Sequence, residues 1–128
     1  MTQKKRILIV DDDPDFASAL QKILKSANYD VNVAGSVEDG MKAIADSRPD
    51  LVLLDVMMEK YDDGFNMCYD LKNDDRYRDI PIIIITAVTE VTGLKFSPKT
   101  DGEYLEADDY VQKPISAAAL IAEVERFI

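Results

Sequence analysis

An open parallel α/β sheet is the fold class this sequence predicts, and three observations predict it. Apolar runs of strand length recur along the chain, segments of helical period lie between them, and three of the four stronger runs are continuous rather than alternating. Continuous runs suit strands covered on both faces by helices. A chain of 128 residues, 47% hydrophobic and 31% charged, is long enough to bury one core and fold alone as a soluble globular domain.

The first strand is Ile7-Leu8-Ile9-Val10. Asp13 before Pro14 then reads as a helix N-cap, followed by the stripe Phe16, Leu20, Ile23, Leu24 and Ala27. Val31-Asn32-Val33 alternates and suits an edge strand. Ser36 caps a second helix with Val37, Met41 and Ile44 on one face. Leu51-Val52-Leu53-Leu54 is the third strand, and Phe65, Cys68 and Leu71 mark a third helix. Pro81 opens Ile82-Ile83-Ile84-Ile85, where a missing N–H is tolerated. Tyr110-Val111 is a weak fifth strand, also of edge character. Ser116 precedes the last helix, with Leu120, Val124, Phe127 and Ile128. The alternation of strand and helix predicts the parallel sheet. With no linker or repeat in sight, residues 1–128 are read as one domain without an output domain.

Twenty-five acidic against fifteen basic residues give a net charge of −10, which repels nucleic-acid phosphates and anionic lipid. Direct nucleic-acid contact and membrane insertion are therefore not expected. The lone Cys68 cannot form an intramolecular disulfide and no secretory signal is visible, so a cytoplasmic setting is expected. The chain has no histidine, which excludes a Ser-His-Asp triad, histidine metal ligands and a phosphohistidine carrier role. Its chemistry falls to carboxylates, hydroxyls and lysine.

Ligands of open α/β sheets bind outside the carboxyl ends of the strands. There the sequence places Asp11-Asp12-Asp13 after the first strand, Asp55 after the third, Thr86 after the fourth, and Lys113-Pro114 after the fifth. Right-handed crossovers bring those ends to one edge. A hard cation such as Mg²⁺ takes oxygen ligands from one or two carboxylates and leaves room for phosphate oxygens. A carboxylate attacking phosphorus gives an acyl phosphate, and a cation with a lysine offsets the charge that develops.

The segments ILIVDDDP, LVLLDVMM, DGF, IIIITA and VQKP resemble the receiver domain of two-component response regulators over essentially the whole chain. The resemblance implies a flavodoxin-like, doubly wound, five-stranded parallel sheet of order 2-1-3-4-5. It implies Asp55 as phosphoacceptor and metal ligand, Asp12 as direct Mg²⁺ ligand, Asp11 acting mainly through a metal-bound water, and the backbone carbonyl of Met57 as a further ligand. The backbone at Met57 and Ala87 would bind the phosphoryl group, with Lys113 assisting ahead of a cis Pro114. Thr86 and Tyr110 resemble the switch pair. The implied donor is a histidine kinase or phosphotransfer protein, and the implied reader is a downstream protein the sequence does not name. Such a domain catalyses its own phosphorylation and dephosphorylation and is not a conventional turnover enzyme. Apolar Met57 and Val88, at the second positions after Asp55 and Thr86, imply slow self-dephosphorylation.

Each residue also has a plain reading. Asp13 is simply a cap, Thr86 an ordinary β-branched residue, and Lys113 a solvated charge. The pairs Asp74-Asp75 and Asp108-Asp109 read as solvated loop charges or a helix stop, and Tyr61, Tyr69 and Tyr77 as surface or packing residues. The main rival function is an aspartyl phosphatase of the haloacid dehalogenase type, with Asp11 as nucleophile and Asp13 two residues on. Against it, Asp15 stands where Thr or Val is expected, and the chain is short. A second rival is an interaction module of the same fold without phosphorylation, against which the intact set of site residues speaks.

Two stretches depart from the family pattern. The loop Met58-Glu59-Lys60-Tyr61-Asp62-Asp63-Gly64 lacks the usual proline and is one residue longer. Between Thr86 and Lys113 lie 26 residues interrupted by Gly93, Pro98 and Gly102. Gly costs a helix interior ~1 kcal/mol and Pro ~3 kcal/mol. The fold's fourth helix is therefore expected to be shortened or irregular through Lys95 to Glu106, and partner recognition around it to be non-standard.

Overall fold

The computed structural model describes residues 4–55, 61–86, 108–112 and 115–128. In chain order it contains β1 (Arg6–Val10), α1 (Pro14–Ser26), β2 (Asp30–Ala34), α2 (Val37–Asp46), β3 (Leu51–Asp55), α3 (Tyr61–Lys72), β4 (Ile82–Thr86), β5 (Asp109–Gln112) and a C-terminal helix (Ala117–Glu125). The strands form one parallel sheet of order β2-β1-β3-β4-β5.

Strand side chains alternate between faces, and here both faces are apolar. Leu8, Val10, Val52, Leu54, Ile82 and Ile84 meet Ile44 of α2 and Met67, Cys68 and Leu71 of α3. Ile7, Ile9, Leu51, Leu53, Ile83 and Ile85 meet Ala17, Leu20 and Leu24 of α1 and Leu120 and Val124 of the C-terminal helix. Helices therefore cover both faces, and the continuous apolar runs are explained by β1, β3 and β4 each feeding both cores. Each fully buried Val, Leu, Ile or Met among them contributes about 1.5–3 kcal/mol before the entropy of ordering is counted. The edge reading of the second strand holds: β2 ends the sheet, and its Val33 is 40% exposed.

The caps fall where the sequence placed them. Asp13 accepts from the amides of Asp15 and Phe16, Ser36 from that of Asp39, and Ser116 from that of Ala119. At its other end α1 stops through Asn28, whose φ of 76° lies in the left-handed region. The Tyr29 amide donates to Leu24 O at 3.1 Å and that of Asn28 to Lys25 O at 3.0 Å, satisfying carbonyls the last turn would leave bare.

Two sequence readings change. The loop after Asp55 was expected to run through Gly64, but α3 begins at Tyr61, so positions 61–64 are helical. Acidic residue types, as at 62 and 63, are those a first helical turn favours. Asp108, read as a solvated charge or helix stop, is instead a junction. Its Oδ2 accepts from Lys72 Nζ at 2.7 Å and from the Ile82 amide at 2.8 Å. Lys72 Nζ, on a side chain only 10% exposed, also donates to Ile80 O at 3.0 Å and Arg78 O at 3.3 Å. Asp74, by contrast, organises the turn after α3, where hydrogen bonds from Arg76 hold its carboxyl below the usual carboxylate range. The expected irregular fourth helix, Lys95 to Glu106, lies outside the described residues.

Candidate metal and phosphoryl site

The parallel register builds the site. β1 and β3 pair Val10 with Leu54, so the next residues, Asp11 and Asp55, emerge level on adjacent strands. Adjacent strands lie about 4.8 Å apart, within reach of two short side chains. Both continue the parity of Ile9 and Leu53, which face α1 and the C-terminal helix. The Asp11 amide donates to Ala34 O at 3.0 Å, which fixes its backbone against the end of β2. The Asp11 carboxylate accepts from the Asp13 amide at 2.9 Å.

Asp11 and Asp55 are 2% and 3% exposed, while Asp12 lies open at the rim. Asp11, Asp12 and Asp55 each offer a carboxylate oxygen, and these three oxygens lie within 4.8 Å of one another. Among the described residues this is the only such group of His, Cys, Asp or Glu. Three carboxylates so close repel one another, and burial of two of them raises the cost of their charge. An oxygen-only donor set at this spacing fits a hard divalent cation rather than a soft one. The donor chemistry therefore agrees with the expected Mg²⁺.

Thr86 ends β4 one residue beyond Ile85, which pairs with Asp55, so its backbone reaches the same sheet edge on the neighbouring strand. Tyr110 pairs with Ile84 on edge strand β5, two strands from Asp55. Met57, Ala87, Lys113 and Pro114, together with Val88, lie outside the described residues. What the sequence reading missed is the tie between Asp13 and Asp11. An Asp two residues before another Asp and ahead of Pro14 carries that signal only once the first is known to be buried.

Comparison with known proteins agrees with this geometry. The family model described as the response regulator receiver domain matches residues 7–125. The DNA-binding dual master transcriptional regulator RpaA of Synechocystis is 36% identical over 123 residues, covering 96% of this chain and 48% of that protein. The DNA-binding response regulator MtrA of Mycolicibacterium smegmatis is also 36% identical, covering 96% of this chain and 50% of its own length. The chain thus spans about half the length of the curated relatives it matches. Among solved structures, the response regulator signal receiver domain from Bermanella marisrubri superposes with a TM-score of 0.80 at 26% identity, covering 98% of both chains. With the family match spanning nearly the whole sequence, the chain belongs to the response regulator receiver domains of two-component signalling.

Proposed function

We propose that Asp55 accepts a phosphoryl group from a phosphohistidine of a histidine kinase or phosphotransfer protein. The observation that carries this reading is the convergence of the buried Asp55 carboxylate with those of Asp11 and Asp12 at one sheet edge. An Asp55 oxygen attacks phosphorus, the new O–P bond forms as the P–N bond breaks, and the departing imidazole keeps the electron pair and takes a proton from solvent. Asp11, Asp12, Asp55 and the Met57 carbonyl would hold Mg²⁺. That ion, when bound, supplies positive charge against which the equatorial oxygens of the transferring group are stabilised. Asp55 is held at the end of a strand buried on both faces, so its side chain starts from a fixed backbone before the donor arrives. Lys113 and the backbone at Met57 and Ala87 would complete the phosphoryl contacts.

Thr86 and Tyr110 are proposed as the two-state element that reads the result. The modification shifts the population only if the phosphoryl group binds one arrangement better, and the Thr86 hydroxyl is the group that would supply this difference. A downstream protein would then sense the changed surface. DNA binding is named for RpaA and MtrA as whole proteins. For this domain the net charge of −10 argues against contacting phosphates itself. No helix among the described residues is long and apolar enough to cross a membrane, and we place the domain in the cytoplasm with its kinase partners.

Incubation with a small phosphodonor and Mg²⁺ tests this reading. Intact-mass spectrometry should show a single added phosphoryl group that is absent from Asp55→Asn. Labelling of the Asp55→Asn protein to the same extent would refute the assignment. Thr86→Ala should still be labelled but should lose the phosphorylation-dependent gain in partner affinity.

A further inference from the structure

We infer that Asp13, besides starting α1, is a positioning residue for the cation site: its side chain fixes the peptide whose N–H holds the Asp11 carboxylate in place. The inference rests on the reading of Asp11, Asp12 and Asp55 as a cation-binding cluster. Asp13 is held from several sides. Its Oδ1 accepts from the amides of Asp15 at 3.0 Å and Phe16 at 3.2 Å, and its carbonyl accepts from the Ala17 amide at 3.0 Å. Its backbone is extended at φ −95° and ψ 103°, the conformation imposed on a residue that precedes proline. What remains is its own N–H, which donates to Asp11 Oδ1 at 2.9 Å.

A carboxylate turns readily about its last bond, because that torsion has a broad minimum. A hydrogen bond on Oδ1 restrains the turn and so sets where the Asp11 carboxylate points. Asp11 is 2% exposed, so water is poorly placed to replace the amide if the peptide swings away. The chain of dependence is therefore cap, peptide plane, carboxylate, cation. Asp13 itself is exposed, so its charge acts on the site through solvent and is screened. That separates the two ways it could matter: asparagine retains the capping oxygen without the charge, and alanine retains neither.

The test is titration of the ¹⁵N-labelled protein with Mg²⁺, followed by amide chemical shifts. Asp13→Ala should raise the Mg²⁺ dissociation constant about tenfold, the usual loss when a group that orients a metal ligand is removed. Asp13→Asn and Asp13→Ser should stay within about twofold, because both cap as aspartate does. Asp13→Gly keeps the helix start nearly as stable while removing the side-chain oxygen, so it should weaken binding as alanine does even if the alanine protein folds poorly. Alanine and glycine proteins that bind Mg²⁺ like wild type would overturn the inference while leaving the cation site intact. Asparagine as weak as alanine would overturn it in favour of charge. A wild-type protein whose spectrum ignores Mg²⁺ would overturn the reading of the cluster, and this inference with it.

Discussion

At Asn28 the chain leaves α1 in a left-handed conformation that costs most residues about 1–2 kcal/mol but suits Asn and, better, Gly. Asn28→Gly should raise stability by up to ~1 kcal/mol, and Asn28→Val should lower it by about 1–2 kcal/mol, both read from chemical denaturation. Gly40 makes the opposite demand. A Cβ there would lie 3.0 Å from Val10 Cγ2 and 3.1 Å from Met67 Cε, so α2 sits on β1 at a distance only glycine permits without adjustment. Met67 has a flexible end that can yield, whereas the branched Val10 side chain is stiff. Gly40→Leu should cost about 1–3 kcal/mol by overpacking, seen as a lower denaturation midpoint at unchanged slope. Neither residue announced itself in the sequence. Gly40 depends on a contact with residues 30 and 27 positions away, and the stripe read for α1 simply ended at Ala27. Asp11, Asp12 and Asp55 were legible because strand ends are recognisable from the runs before them.

Lys72 is the point where α3, the turn after it, β4 and the start of β5 are fastened together. Removing its ammonium takes a donor from the Arg78 and Ile80 carbonyls and from the Asp108 carboxylate, which keeps its bond from the Ile82 amide. Lys72→Met should therefore cost about 1–3 kcal/mol and speed hydrogen exchange in β5. At the other side of β5, Arg126 Nη1 donates to Asp109 Oδ2 at 2.7 Å and to Glu123 Oε1 at 3.0 Å. Burial, then the facing Asp109, pushes the Glu123 carboxyl above its ordinary value near 4.5, with Arg126 opposing. A raised folded value means that Glu123 contributes stability below its ordinary value and loses it as pH rises through the raised one. Glu123→Gln mimics the protonated form. Its melting temperature should exceed that of wild type at pH 7, with the difference closing as pH falls towards 4.5. Elements were legible to the extent that their periodicity was local: all five strands and the capped helices emerged from the residue pattern. The start of α3 did not, because Asp62-Asp63-Gly64 carries no apolar stripe, although its acidic pair suits a first helical turn.

Taken whole, the molecule concentrates an excess of negative charge and aims part of it at one sheet edge. Anything that binds the folded cluster and not the unfolded chain stabilises the fold by mass action, about 2.7 kcal/mol at one hundred times the dissociation constant. Mg²⁺ should therefore raise the melting temperature of wild type and do so far less for Asp12→Ala, whereas equal gains would place the cation elsewhere. The order of the sheet followed from the resemblance of its motifs rather than from hydrophobic pattern, since β5 offers only Tyr110 and Val111 as apolar residues. Its position is instead secured by the Asp108 amide bonded to Ile82 O at 2.8 Å and by the Asp108 carboxylate bonded to the Ile82 amide. β4 starts at that point and delivers the chain to the opposite edge at Thr86, so both ends of the connection that follows are tethered by bonds it does not make. Lengthening a flexible connection between two held ends costs only about 0.6 kcal/mol for each doubling of length. A change of length there would leave the register of the last strand where β4 and Asp108 set it.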